Sequence, residues 1–190
     1  MNDDELLHHL ARDLDGAFET LVRMHQDRLY GIALRFLGDP RDAEEVAQDT
    51  LLRAYRALGA YEPSRIRELR LRAWLATIAI RRCRTHAARR RVATSELVAE
   101  GPAAQVARPS ETPHEVATRR EGATEWAALV TGLPDRYRAA VVLRHVDGLS
   151  YPEMSEVLGR PEGTVKAQVH RGLALLRAAF EAVEREESIA

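Results

Sequence analysis

Residues 148–166 read Gly-Leu-Ser-Tyr-Pro-Glu-Met-Ser-Glu-Val-Leu-Gly-Arg-Pro-Glu-Gly-Thr-Val-Lys, and nearly every one has a positional reason. Ser150 and Glu153 form a capping box, in which the hydroxyl accepts from a first-turn amide and the carboxylate reaches back. Pro152 falls in the first turn, where its missing N–H costs no bond. Met154, Val157 and Leu158 make the inner face of a short helix. Gly159 suits the left-handed residue that ends it, and Pro161 blocks continuation and opens the next helix. That second helix buries Val165, Val169, Gly172 and Leu176. Its other face carries Thr164, Lys166, Ala167, Gln168, His170 and Arg171. Cap, turn and polar outer face together describe a helix-turn-helix whose second helix enters a DNA groove. The chemistry is hydrogen bonding from this face to phosphates and base edges, with Thr164 placed for a phosphate and Arg171 long enough for a base edge.

Two further clusters carry charge. Arg81, Arg82, Arg84, Arg89, Arg90 and Arg91 are six arginines in eleven residues. A solvated helix end needs fewer cations than that, so the segment is read as a nucleic-acid contact, with affinity falling as salt rises. Upstream, Asp42, Glu45 and Asp49 recur at three-and-four spacing, with Gln48, Leu52 and Arg53 beside them. They form one acidic helical face, suited to a protein partner.

The elements that must position these clusters follow from periodicity and composition. The chain has 190 residues, 45% hydrophobic, 30% charged and only 5% aromatic. Ala, Leu and Arg dominate, which favours helices over strands. Ala17, Leu21, Val22, His25, Leu29, Ile32 and Phe36 trace an amphipathic helix, with His25 a core residue. Gly38-Asp39-Pro40 ends it and starts another. Gly59–Ser64 reads as a loop, and a third helix runs from Trp74 into the arginines. Residues 93–121 lose periodicity among Gly101, Pro102, Pro109 and Pro113 and read as a flexible linker. A second helical block follows. The fold class is all-α: two small helical domains, 1–92 and 122–190, joined by that linker. The net charge of −1 is unevenly spread: −5 over residues 1–60, +8 over 61–92, and −2 over each later segment. Acidic and basic regions kept apart suggest two kinds of partner.

The order of acidic helix, Trp-bearing basic helix, Pro-rich linker and helix-turn-helix resembles the extracytoplasmic-function (ECF) group of sigma-70 family sigma factors. The strings that carry the resemblance are Asp42–Ala54, Ala73–Ala79, Leu133–Arg138 and Gly148–Lys166. The resemblance implies an all-α protein that binds core RNA polymerase and directs it to promoter DNA. It assigns polymerase binding to Asp42, Glu45, Gln48, Asp49, Leu52 and Arg53. It assigns minus-ten recognition and melting to a loop, Tyr61–Glu68, and to the helix from Trp74 to Arg91. The residues concerned are Tyr61, Ser64, Arg65, Arg67, Trp74, Arg81, Arg82, Arg84, Thr85 and Arg89. Minus-thirty-five reading falls to Thr164, Lys166, Ala167, His170 and Arg171. It further implies a linker threaded through polymerase channels and an anti-sigma factor as regulator. Arg81, Thr85, Ala167 and Gln168 depart from the group's commonest residues at their positions, which bears on the promoter sequence read.

The rival reading is an operator-binding helix-turn-helix regulator independent of polymerase, but no zipper or dimer helix is evident for paired half-sites. An enzyme is not expected. There is no Gly-x-Gly-x-x-Gly, phosphate-loop lysine motif or His-Glu-x-x-His. Cys83 and His86 lack a second ligand pair, so no metal or cofactor is expected. The single cysteine, the acidic start and a longest apolar run of eight residues, Ala73–Ile80, predict a cytoplasmic protein without membrane insertion.

Overall fold

The computed structural model describes residues 1–98 and 127–187, and every regular element among them is helical. Helix α1 (Asp3–Arg12) is capped by Asn2, whose Oδ1 accepts from Glu5 N at 2.8 Å. Asp13 then caps α2 (Leu14–Leu37), accepting from Gly16 N at 3.0 Å. The apolar stripe beginning at Ala17 predicts one helix here and gives no sign of the break at Asp13. Gly38 ends α2 at φ 79°, a left-handed conformation open to glycine. Asp39 caps α3 (Pro40–Gly59) by accepting from Arg41 N and Asp42 N at 2.8 and 3.1 Å.

The segment read as a loop after Gly59 holds a short helix, α4 (Pro63–Arg67). Pro63 starts it, and Ile66, 3% exposed, pins it to the core. Helix α5 (Leu71–Val98) runs beyond residue 93, the expected start of the linker. No glycine or proline interrupts it before Gly101, which accounts for the extension. The rest of the expected linker lies outside the described residues.

Residues 127–132 form α6, and α7 (Asp135–Val141) follows Pro134. The chain then loosens into a π-helical turn, Val142–Val146. Periodicity does not reveal this turn, because its buried Val142 and Leu143 fit an ordinary helix equally well. Helices α8 (Tyr151–Leu158) and α9 (Glu162–Glu187) bear out the helix-turn-helix. Ser150 N donates to Glu153 Oε2 at 2.7 Å, completing the capping box. Those serine bonds hold the Glu153 carboxyl below its ordinary value. Gly159 takes φ 62°, and Ser155 Oγ donates to Arg160 O at 2.6 Å to tie down the turn. Gln168, expected on the outer face of α9, is 6% exposed. It lies three residues after Val165, so it shares the buried stripe.

Helix α2 is the centre of the molecule, packing on α1, α3, α5 and the π turn. Leu21, Leu29, Ile32 and Phe36 have no exposed surface. Each such side chain contributes about 1.5–3 kcal/mol through burial. The two helical blocks pack against each other. Asp147, at the end of the π turn, is 3% exposed and lies against Arg28 of α2. Arg28 donates through both Nε and Nη2, the latter to Asp147 Oδ2 at 2.7 Å. Arg72 donates to the Asp147 carbonyl at 2.7 Å, and Arg28 to the Arg72 carbonyl at 2.9 Å. Arg138 of α7 donates to the carbonyl of Phe36, at the end of α2, at 3.0 Å.

Gly172 sets the closeness of α7 and α9. A Cβ there would lie 2.5 Å from Val141 Cγ2 and 3.4 Å from the Tyr137 backbone oxygen. Overpacking of this kind costs about 1–3 kcal/mol, against roughly 1 kcal/mol that alanine gains as a helix former. Gly172→Ala therefore lowers stability, by about 1 kcal/mol, in urea unfolding; a more stable variant would contradict the packing. His25 yields a second prediction. Burial lowers its pKa from 6.5, reinforced by Arg28 and Arg72 and opposed by Asp3 and Asp147. The unfolded chain then takes up the proton first, so stability falls as pH drops through 6.5. His25→Leu should flatten that decline between about pH 7.5 and 5.5, by up to about 1.4 kcal/mol per pH unit.

Candidate nucleic-acid interface

Helices α3 and α5 lie side by side, and their opposite charges meet. Asp49 pairs with Arg82 of α5 and with Arg53 one turn along α3 at 3.0 Å. Asp42 pairs with Arg90 and, at 3.1 Å, with His86. The sequence reading gave these acids to one partner and these arginines to another; the fold brings them to each other. The exposed residues of α3 include Glu44, Glu45, Gln48 and Leu52, with Tyr55 at the end of the row, and Arg41, Arg53 and Arg56 are exposed as well. Tyr55 escaped the sequence reading. It stacks edge-on against Phe18 at 4.9 Å, and its hydroxyl donates to Asp15 at 2.6 Å, which raises the phenol pKa. Only its position about one turn past Leu52 pointed to it.

Between α3, the turn at Tyr61 and α5 lies an open groove of about 450 Å³. Tyr61, Trp74, Ile78, Thr77, Arg53 and Arg81 are among the residues lining it. The rings of Tyr61 and Trp74 are 6.2 Å apart and inclined at 59°. Arg65 of α4 sits 3.8 Å over the Tyr61 ring. Two aromatic faces and guanidinium groups around one groove make a platform for an unstacked base and its phosphate. Ser64, Arg65 and Arg67 are exposed on α4, while Ile66 anchors it. Thr85 is exposed and donates to the carbonyl of Arg81 at 3.0 Å, so its hydroxyl retains acceptor capacity. Arg81 and Arg89 are exposed, and Arg84 pairs at 3.0 Å with Asp135 of the second block.

On α9, Thr164, Lys166, Ala167, His170 and Arg171 all face solvent as one surface. Val165, Gln168, Val169 and Gly172 anchor the opposite side. The guanidinium groups of Arg171 and Arg136 beside the Tyr137 hydroxyl hold that phenol below its ordinary value. Arg136 also lies 4.6 Å over the Tyr137 ring. Tyr137 thus connects α7 to the exposed side of α9, a link the sequence did not announce. Past Leu176 the apolar stripe of α9 continues into Phe180 and Val183, which are exposed. Cys83 is fully buried, and its thiol is pushed up to about 12 by desolvation, so it is unreactive at neutral pH. No group of three or more His, Cys, Asp or Glu among the described residues is placed to hold a metal ion. No helix among them is long and apolar enough to cross a membrane.

Comparison with known proteins agrees with this division. Residues 21–92 match Sigma-70 region 2, and residues 124–176 match Sigma-70, region 4. The groove and the acidic face fall in the first match, and the recognition helix in the second. The chain is 30% identical to the RNA polymerase sigma-H factor of Pseudomonas aeruginosa, over 97% of this chain and 96% of that one. It is 30% identical to the ECF RNA polymerase sigma factor SigW of Bacillus subtilis, over 85% and 87% of the two chains. Among solved structures it is similar to CnrH in complex with the cytosolic domain of CnrY. The TM-score is 0.68 at 27% identity, covering 95% of this chain and 97% of that one. The fold is also that of the sigma factor RpoE of Bartonella quintana in complex with the anti-sigma factor NepR, with a TM-score of 0.66. With both sigma regions matched in order and 30% identity to a sigma factor over 97% of its length, this chain belongs to the ECF group of the sigma-70 family of sigma factors.

Proposed function

We propose that this protein binds core RNA polymerase and directs it to promoters, the first helical block reading the minus-ten element and the second the minus-thirty-five element. The observation that supports the reading is one chain holding two different surfaces: an aromatic–arginine groove suited to a melted strand, and an exposed helix face suited to duplex. An operator-binding regulator has use for the second surface but none for the first.

In the groove, Tyr61 and Trp74 stack a base lifted from the non-template strand, with Arg65 and Arg81 near its backbone. Lifting a base out costs a few kcal/mol, which stacking at about 1–3 kcal/mol per base offsets. In the major groove, Arg171 is long enough for a bidentate guanine contact, Ala167 offers a methyl, and Thr164 meets a phosphate. The exposed row Glu45, Gln48 and Leu52, with Arg53 beside it, is the polymerase contact. Asp42 and Asp49 support it from behind by fixing α3 on α5. The segment 93–121 links domains 1–92 and 122–190 through the polymerase. The role is binding and positioning rather than catalysis, and it places the protein with polymerase in the cytoplasm. Both solved neighbours are bound to a second protein, one of them named as an anti-sigma factor. A regulator of that kind is proposed here also.

Run-off transcription with core polymerase on the protein's own upstream region tests the function. Transcripts from a fixed start that need both this protein and polymerase are expected. Tight, specific duplex binding without polymerase, and no start, would instead indicate the operator-binding regulator. The polymerase contact is tested separately by Glu45→Arg with Leu52→Ala. Both positions are exposed, so the melting temperature should hold while core affinity falls at least about tenfold, or 1.4 kcal/mol. Unchanged affinity would remove α3 from the interface.

A further inference from the structure

The seam between the two blocks has one electrical polarity. Arg28 and Arg72 meet Asp147, Arg70 meets Glu156 at 2.6 Å, and Arg84 meets Asp135 at 3.0 Å. Every ion pair across the seam among the described residues sets an arginine of the first block against a carboxylate of the second. Arg72 and Arg84 stand twelve residues apart, or about 18 Å along α5. Arg70 stands just before that helix and Arg28 beside it on α2. Arg70, Arg72 and Arg84 belong to the basic stretch of the sequence, residues 61–92, and Arg84 is among the arginines assigned to DNA.

We infer that Arg28, Arg70, Arg72 and Arg84 form a surface for the phosphate backbone of promoter DNA, and that Asp135, Asp147 and Glu156 occupy it in phosphate's place until the two blocks part. The inference rests on the proposed reading that both blocks bind one promoter. A compact chain of 190 residues has a radius of gyration of about 16 Å and is therefore roughly 40 Å across. Elements centred roughly 25 base pairs apart are about 85 Å distant at about 3.4 Å per pair. The closed chain is too short to read both, so the seam must open during promoter engagement.

The seam's chemistry suits reversible opening. A buried pair that separates into water regains hydration on both sides, unlike a pair broken by deleting one partner. Arg70 and Glu156 are more than half exposed, so their pair holds weakly. Duplex DNA offers one negative charge per roughly 1.7 Å of its axis, a denser array than three carboxylates. Each arginine that exchanges carboxylate for phosphate adds to the salt dependence of DNA binding.

The test compares two variants of the full chain with equal change in net charge. One removes the seam carboxylates: Asp135→Asn, Asp147→Asn and Glu156→Gln. The other neutralises exposed acids away from the seam: Glu19→Gln, Asp27→Asn and Glu44→Gln. The probe is a 40-base-pair duplex of unrelated sequence, without polymerase, over a range of salt. The seam variant should bind at least about tenfold tighter than the control, with a log–log salt slope steeper by about 2–3. It should also have the larger hydrodynamic radius. Equal affinity and equal slope in the two variants would overturn the inference. If the triple seam variant loses helicity, the double variant Asp135→Asn with Glu156→Gln, whose side chains are partly exposed, decides by the same comparison. Should the wild type support promoter-specific run-off while the variants bind alike, the seam inference falls and the sigma-factor reading stands.

Discussion

A carboxylate with no exposed side-chain surface, Asp147, is paired among the described residues with two arginines of the first block, Arg28 and Arg72. Arg28 and Asp147 are 119 residues apart. Burying that carboxylate alone would be prohibitive, so α2, the start of α5 and the π turn must be brought together whenever it is buried. The placement of the aromatic groove and of the helix-turn-helix follows. Helix α2 fixes α5, and with it the Tyr61–Trp74 groove. The π turn ends at Asp147 and leads through Gly148 into the helix-turn-helix. The contact holding the two readers together is polar, and a polar contact can be exchanged for another polar partner.

The same logic separates structural charge from functional charge on α3 and α5. Asp42 and Asp49 are two of the acids that mark α3 as a partner face, yet they bond Arg82, His86 and Arg90. Pairing them internally keeps two oppositely charged helices in register. It leaves Glu45, Gln48 and Leu52 exposed on α3, and Arg81 and Arg89 exposed on α5. A charge run in sequence thus resolves into alternate residues that hold the fold and residues that face outward.

What the sequence made legible was local. The capping box at Ser150 and Glu153, the glycine stop at Gly159 and the Asp39-Pro40 start depend on residues within one turn, and all are present as read. So is the buried place of His25, set by its position in an apolar stripe. The misreadings are those of partner or of subtle backbone. Gln168 was placed by its polarity, and its spacing from Val165 prevailed. The loop after Gly59 was read from its Gly, Pro and Ser content, while Ile66 supplied the burial that makes α4 a helix. The π turn has no compositional mark. The α3–α5 ion pairs and the seam join residues dozens of positions apart, and periodicity states which face is outward without stating what meets it.

The account turns on the two blocks being held together in the free protein and apart on a promoter. A distance measured between spin labels at Arg23→Cys on α2 and Ala178→Cys on α9, both exposed sites, addresses it directly. Cys83 is buried and unreactive, so labelling leaves it untouched. The free protein should give one narrow distribution, within the roughly 40 Å of a compact chain of this size. The assembly with core polymerase and promoter DNA should move it beyond about 50 Å, as blocks reading elements about 85 Å apart require. The same distribution in both states would contradict the account.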